Sequence, residues 1–241
     1  MMRNKWTIRV GAACAVLISM AIAEASNPKL GGPMRHILIT MPATEIIVAF
    51  DHDPELSMPL TDYCEAYAAP ADVLDNLAYN GEYGWLANGF ISLPSDLDIW
   101  IELLDQTEGL ETFEANTFAP IFTTDGSDAR WRWSGAMTHN WYTAREPGVF
   151  EATYRVYVGD ANGDPVEGYT SAIVTLDWFF NMDCVPGDLS CDGLVTLDDL
   201  VDFVDAVLGV GAPTAHQMCA ADVNIDGEIN ALDIQSFVDA M

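Results

Sequence analysis

Hydrophobic and polar residues follow two different rhythms along this chain, one before and one after Cys184. Apolar and polar residues alternate with a period of two in residues 150–158 and again in residues 170–178. This alternation is typical of β-strands that bury one face. Shorter runs of β-prone residues occupy residues 36–40, 45–50, 89–93 and 99–104.

Turn-forming residues separate these runs, and residues 159–165 form a connection rich in Gly, Asp and Pro. Many short strands with few helical periods indicate a mainly β protein, and we predict an antiparallel β-sandwich. One helical exception is residues 72–79, where the spacing of the apolar residues predicts a short helix. Residues 146–158 and 173–179 weakly resemble the last two strands of Ig-like extracellular domains, a resemblance that implies no activity.

After Cys184 the chain repeats itself at an offset of 34 residues. Residues 188–199 align with residues 222–233, and the match continues beyond each segment. The periodicity changes to that of a helix after each segment. One helix face is formed by Leu200, Phe203, Val204 and Val207, and its counterpart by Ile234, Phe237, Val238 and Met241. We therefore predict a small α-helical domain built from two loop–helix units.

Each repeat carries oxygen-bearing residues at loop positions 1, 3, 5, 9 and 12, with Gly at position 6. This is the spacing of an EF-hand loop, in which position 7 adds a backbone carbonyl and about six to eight oxygens surround Ca²⁺. The first loop predicts the ligands Asp188, Ser190, Asp192, Leu194 (carbonyl), Thr196 and Asp199. The second predicts Asp222, Asn224, Asp226, Glu228 (carbonyl), Asn230 and Asp233. The sequence thus predicts two calcium sites.

Charge supports the same prediction and excludes other functions. The chain has 37 acidic residues against 9 basic ones, for a net charge of −28. Binding to nucleic acid or to anionic lipid requires clusters of Lys and Arg, so neither partner is expected. Residues 185–241 contain eleven acidic residues and no Lys or Arg, which concentrates the cation-binding potential there.

The first residues have the pattern of an export signal. Arg3, Lys5 and Arg9 precede an apolar run over residues 11–22, and small residues at positions 23 and 25 suit a cleavage site. The run is too short to span a membrane, and no later segment is long enough. We predict a signal peptide over residues 1–25, a β-sandwich over 26–183 and a calcium-binding domain over 184–241, in a secreted or cell-surface protein.

The tandem loop–helix pair, with Asp at position 12, resembles the dockerin type I domain. The segments that carry the resemblance are residues 187–196 and 221–230. It implies that calcium folds the domain and that the helices bind a cohesin-type receptor. It also implies attachment of a secreted protein, often a polysaccharide-degrading enzyme, to a scaffold or cell surface.

The chain departs from this family at several loop positions. Ser190 stands at position 3 in place of the more usual Asn or Asp. Positions 10 and 11, which steer receptor choice in the family, are Leu197 and Asp198 in one loop and Ala231 and Leu232 in the other. The paired hydroxyl residues that are familiar there are absent from this sequence.

Four cysteines follow the signal segment, which predicts two disulfides in an oxidising compartment, with three connectivities to choose from. Paired loops bring Cys191 close to Cys219, so we predict a Cys191–Cys219 bridge. This leaves Cys64 for Cys184. A local pairing of Cys184, with Cys64 unpaired, is the alternative.

The β-region has no recognised catalytic motif, so we name no catalytic residue and favour a noncatalytic protein. Asp51, Asp53 and Glu55 could share one face of an extended segment, although a solvated acidic loop is the simpler interpretation. The aromatic residues near residues 131–142 could stack on a sugar, although burial in the core is the better prediction. The leading hypothesis is calcium-dependent docking, and the alternative is glycan binding or glycoside hydrolysis.

Overall fold

The computed structural model describes residues 27–53, 55–182, 184–211 and 213–241. The predicted signal peptide lies outside these residues. In chain order the strands are β1 (Arg35–Thr40), β2 (Ile47–Phe50), β3 (Met58–Pro59), β4 (Thr61–Asp62), β5 (Ala78–Asn80), β6 (Tyr83–Ala87), β7 (Asp98–Gln106), β8 (Glu111–Phe113), β9 (Pro120–Ile121), β10 (Arg130–Trp133), β11 (Thr138–His139), β12 (Trp141–Ala144), β13 (Gly148–Gly159) and β14 (Ala172–Phe180). Three helices follow: α1 (Leu200–Leu208), α2 (Ala215–Ala221) and α3 (Asp233–Ala240).

The strands form three sheets, with the orders β11-β6-β1-β2, β10-β7-β13-β14-β3 and β4-β5-β12-β8-β9. The mainly β fold followed by a small helical module is confirmed. Most strand pairs are antiparallel, while β1 with β6 and β14 with β3 run parallel. We call residues 27–182 the β-region and residues 184–241 the C-terminal module.

Alternation along the long strands builds the core of the β-region. In β13, Phe150, Ala152, Tyr154 and Val156 are buried, while the residues between them face outward. All three sheets contribute residues to one hydrophobic cluster, which includes Ile37, Trp85, Ile101, Tyr142 and Trp178. Sheet-on-sheet burial of this kind is the main stabilising term of a β-sandwich.

Two local predictions in the β-region are wrong. Residues 89–93 form no strand, and the strand lies just before them as β6. Residues 72–79 do not form an α-helix: a single 3-10 turn over Ala71–Leu74 leads into β5. β5 lies between β4 and β12, so strand pairing across the sheet overrides the local helical spacing.

The C-terminal module has its own core beneath the three helices. Phe203 of α1 and Phe237 of α3 are buried and stack with ring centroids 4.1 Å apart and planes 5° apart. Leu189, Ala220 and Ala221 complete this cluster. The predicted helix faces are only partly buried, because Val204 and Val238 remain 41% and 52% exposed.

The disulfide prediction is wrong at both bridges. The structure joins Cys64 to Cys191 and Cys184 to Cys219. The reason lies in the chain that leads into the first loop, since the Gly187 amide donates to the Ala220 carbonyl at 2.7 Å. This contact places residues 184–187 beside the end of α2 and brings Cys184 to Cys219. Cys191 instead faces the β-region and pairs with Cys64 across 127 residues of sequence.

None of the helices in the described ranges has the length and hydropathy needed to cross a membrane.

Truncation of a core residue should destabilise the β-region far more than the same truncation on its surface. Ile101 on β7 is fully buried, whereas Ile173 on β14 is 65% exposed. We expect Ile101→Ala to lower the free energy of unfolding by about 2–5 kcal/mol. The matched Ile173→Ala change should cost less than about 1 kcal/mol. Urea denaturation measures both, and equal losses would contradict this core.

Candidate calcium centre

The first loop folds around the carboxylate of Asp188. This carboxylate accepts hydrogen bonds from the amides of Asp192, at 3.2 Å, and Gly193, at 2.9 Å. Gly193 has a φ of +85°, in the left-handed region that Gly adopts at little cost. Asp188 is only 3% exposed, so the loop closes over its first acidic residue.

The far end of the first loop is closed by Asp199, which immediately precedes α1. Its carboxylate accepts hydrogen bonds from the amides of Ser190 and Thr196, each at 2.8 Å. Burial of Asp199 acts to raise its pKa, but the hydrogen bonds from Thr196 and Ser190 together outweigh it and leave the pKa below its usual value. The carboxylate is therefore held in its charged form inside the loop.

The second loop repeats this network with the equivalent residues. Asp222 accepts from the amides of Asp226, at 3.0 Å, and Gly227, at 2.8 Å. Asp233 accepts from the amides of Asn224, at 3.2 Å, and Asn230, at 2.9 Å. The two loops thus have the same internal geometry, as the sequence repeat predicts.

The central residues of each loop are more open to solvent. Asp192 and Asp226 are exposed, and each accepts a hydrogen bond from the amide two residues further on. Among the described residues, three metal-ligating side chains come within 4.8 Å of one another only at Cys64, Cys191 and His216. The two cysteines are joined in a disulfide, so this trio has no thiolate ligands. The carboxylates of each loop are spread apart on backbone amides, as mutual repulsion of like charges favours.

The donor set of each loop fits Ca²⁺. Asp199 and Asp233 have no exposed surface, and the C-terminal module contains no Lys or Arg to pair with them. The six basic residues after the predicted signal peptide all lie in the β-region, each within 4.0 Å of an acidic residue: Lys29, Arg35, Arg130, Arg132, Arg145 and Arg155. Buried carboxylates need a positive partner, and an oxygen-rich loop suits a hard divalent cation.

Helix α2 was not predicted, although it supports the first loop. Thr214 and Gln217 form a reciprocal capping box at its start, and this Thr-x-x-Gln pattern after Pro213 was the available sequence signal. His216, on the first turn of α2, donates from Nε2 to the Asp188 carbonyl at 3.0 Å. This hydrogen bond fixes the position of the residue that opens the loop.

Residues 186–237 match the family model of the dockerin type I domain. The C-terminal module is thus dockerin-like. The match covers the two loops, α1, α2 and most of α3. A comparison with curated proteins gives no match. Dockerin type I domains bind calcium and mediate protein–protein assembly through cohesin-type partners. The resemblance predicted from the repeats is therefore confirmed for the dockerin module, while the β-region lies outside the match.

The aromatic residues considered as a sugar platform lie mainly in the core. Trp133, Trp141 and Tyr142 are 2%, 9% and 0% exposed. Trp131 is half-buried and packs edge-to-face against Phe122. Trp133 and Trp141 also donate their indole N–H groups internally, to the carbonyls of Ala136 at 2.8 Å and Ala115 at 3.2 Å. Burial rather than ligand stacking accounts for this cluster.

The acidic segment near Asp51 serves the structure of the β-region. Asp51 accepts from the His36 amide at 2.7 Å, and its carboxylate also lies 2.6 Å from His36 Nδ1 and 3.2 Å from His52 Nδ1. Burial acts to raise the pKa of Asp51, but these hydrogen bonds prevail and lower it to about 2. Asp53 caps the next turn by accepting from the Glu55 amide. The three acidic residues therefore do not converge on one point.

Neighbouring aspartates in the first loop offer a matched test of the calcium centre. Asp199→Asn removes one charge from a fully buried residue, whereas Asp198→Asn makes the same change at an exposed residue. We expect Asp199→Asn to weaken calcium binding at the first loop by at least about tenfold, because charged oxygens set calcium affinity. Asp198→Asn should change it by less than about twofold.

Calorimetric titration of the chelator-treated protein measures both variants. Asp233→Asn should cause the corresponding loss at the second loop. A wild-type protein that takes up no calcium, or an Asp198→Asn variant as impaired as Asp199→Asn, would contradict the assignment.

Proposed function

We propose that the protein is a secreted, noncatalytic calcium-binding protein whose dockerin module attaches the β-region to an extracellular or cell-surface assembly. The observation that carries the proposal is the pair of equivalent loops with buried carboxylates and no basic partner in the module. Calcium supplies the missing positive charge, and its binding stabilises the fold that presents the helices. The partner of the module is a cohesin-type receptor.

Two Ca²⁺ ions are proposed, one in each loop. Each ion offsets two negative charges in a module of eleven acidic residues. The first is held by Asp188, Ser190, Asp192, the Leu194 carbonyl, Thr196 and Asp199. The second is held by Asp222, Asn224, Asp226, the Glu228 carbonyl, Asn230 and Asp233. The matching hydrogen-bond networks support equal roles for the two sets.

Apolar stripes on α1 and α3 support a protein as the partner. Val201 and Leu208 of α1 are 67% and 68% exposed, and Ile234 and Val238 of α3 are 47% and 52% exposed. Residues three, four or seven apart lie on one side of a helix, so each helix presents a stripe and not scattered side chains. Exposed apolar stripes on an otherwise acidic module are typical of a protein-docking surface.

The residues that precede these helices indicate the chemistry of the receptor surface. Leu197 and Leu232, at loop positions 10 and 11, are 71% and 68% exposed. They extend the apolar stripes toward the loops, at positions where the dockerin type I family usually has hydroxyl residues. We therefore propose a receptor whose contact surface is apolar opposite these positions.

The glycan hypothesis stays a prediction. Its best candidates, Trp133 and Trp141, are buried, so the described residues give it no specific support. The role proposed for the β-region is that of the cargo which the dockerin module carries.

Charge placed on the apolar stripes should abolish docking. We expect Val201→Lys combined with Val238→Lys to weaken binding to a cohesin-type domain by about tenfold or more, because both residues lose apolar contact. Val149→Lys is the matched control, since Val149 is 76% exposed and belongs to β13 of the β-region and not to the dockerin helices. Surface plasmon resonance against a panel of immobilised cohesin-type domains, with and without chelator, measures the effect.

A calcium-dependent interaction that is lost in the double variant and kept in Val149→Lys would support the proposal. Binding that persists in chelator, or that Val149→Lys impairs as strongly as the double variant, would contradict it. Failure of every domain in the panel to bind the wild-type protein would also count against a cohesin-type partner.

A further inference from the structure

Cys191 lies inside the first calcium loop, at position 4, between Ser190 and Asp192. Its backbone φ is +58°, and Ile225 at the equivalent position of the second loop has a φ of +59°. Both loops therefore place a residue other than Gly in the left-handed region at this point, a conformation that L-residues adopt reluctantly. Ile225 is 76% exposed, whereas Cys191 is bonded to Cys64 of the β-region. One loop is tethered and its twin is not.

The Cys64–Cys191 disulfide also connects the first loop with the β-region. Cys64 and Cys191 line a cleft of about 210 Å³ between the β-region and the dockerin module, together with Asp62, Asp202 and His216. His216 donates to the Asp188 carbonyl from the same cleft. The first four residues of the loop are thus held between the β-region and α2. Met182 of the β-region lines a cleft with Asp222 and Ile225 of the second loop, but no disulfide joins the described residues of that loop to the β-region.

The two disulfides connect different parts of the molecule. Cys184 and Cys219 are 35 residues apart, and they precede the first and second loops by four and three residues. This bridge is internal to the module and nearly symmetric with respect to the loops. The Cys64–Cys191 bridge joins the module to the β-region and touches only the first loop.

We propose that the Cys64–Cys191 disulfide is a redox-sensitive strap that raises the calcium affinity of the first loop by holding position 4 in its binding conformation. The second loop binds calcium independently of the strap. The proposal rests on the calcium sites proposed above and goes beyond them, because it makes the two loops unequal. Reduction of the strap selectively lowers calcium occupancy of the first loop and releases it from the β-region.

The strap opens by thiol–disulfide exchange with a dithiol reductant. The reductant thiolate attacks the sulfur of Cys64, which lies at the surface, and a mixed disulfide forms as Cys191 leaves as a thiolate and is then protonated. The second thiol of the reductant then displaces Cys64, giving a cyclic disulfide and two protein thiols. Two electrons and two protons pass from the reductant to the cysteines. A ring nitrogen of His216 lies within 4.8 Å of both sulfurs.

Thermodynamic linkage gives the proposal a second consequence. If the strap strengthens calcium binding at the first loop by some factor, calcium must protect the strap against reduction by the same factor. The two effects can be measured separately. Agreement between them verifies that one coupling produces both effects, and selectivity for the first loop separates a strap on that loop from general support of the fold.

The first measurement is calcium titration of the full chain in two backgrounds. Asp233→Asn impairs the second loop and leaves the first as the functional calcium site, whereas Asp199→Asn impairs the first loop and leaves the second as the functional calcium site. In each background the strap is removed by Cys64→Ser with Cys191→Ser, and the control pair is Cys184→Ser with Cys219→Ser. We expect strap removal to weaken the first loop by about tenfold and to change the second by less than about twofold. The control pair should affect the two loops equally.

The second measurement is the fraction of reduced Cys64 and Cys191 at equilibrium with dithiothreitol, with and without calcium, determined by thiol alkylation and mass spectrometry. Calcium should shift this equilibrium by the same factor of about ten. Calcium binding at the second loop and the far-UV circular dichroism spectrum verify that the strapless variant is folded.

The outcomes separate this proposal from the proposed function. An unmodified chain that binds no calcium would overturn both. Two functional calcium sites, with a first loop whose affinity is unchanged by strap removal, would overturn the strap alone. Equal weakening of both loops on strap removal would also overturn it, since the bridge would then be a general stabiliser of the dockerin module.

Discussion

The structure of the C-terminal module depends on one electrostatic constraint: carboxylates are buried in a segment that has no base. Asp199 and Asp233 are fully buried at the starts of α1 and α3, where backbone amides and the positive end of the helix favour negative charge. Amides alone leave the charges of the remaining acidic residues uncompensated. A divalent cation bound in each loop, as proposed, would satisfy the constraint, and the helices that follow the loops pack through the stacked rings of Phe203 and Phe237.

Sequence reasoning succeeded where the determining interactions are local. Each loop of the dockerin-like repeat is defined within twelve residues, and Gly193 and Gly227 supply the left-handed turns that the spacing requires, while the calcium ligands stay a prediction. The long alternating strands β13 and β14 are likewise readable from their own residues. In the loops, each residue contacts residues close to it in sequence. In β13 and β14, the buried residues pack into the hydrophobic core as a whole. The sequence pattern alone is therefore enough to define these loops and strands.

The wrong helix and the wrong disulfides both involve partners that are distant in sequence. The helical spacing of the segment that begins at Asp72 predicts a helix, yet Tyr79 pairs with Thr61 and Thr143 in a sheet. The parallel pairing of β1 with β6 depends on a crossover that no local pattern reports. The disulfide prediction is wrong for the same reason. Helix α2 is missing from the prediction, and it is α2 that brings Cys219 to Cys184. The burial of Trp133 and Trp141 agrees with the favoured interpretation, although stacking and core aromatics share one sequence pattern.

The relation between the two repeats shows how a duplicated element acquires distinct roles. The two loops have equivalent hydrogen-bond networks, so their local chemistry favours calcium binding equally in both. Their surroundings differ, because the first loop is bonded to Cys64 of the β-region and its Asp188 carbonyl accepts a hydrogen bond from His216. In the proposed docking function, a receptor on the α1 and α3 stripes is linked covalently to the β-region through this bridge of the first loop. The orientation of the β-region on the proposed assembly would then depend on the Cys64–Cys191 junction.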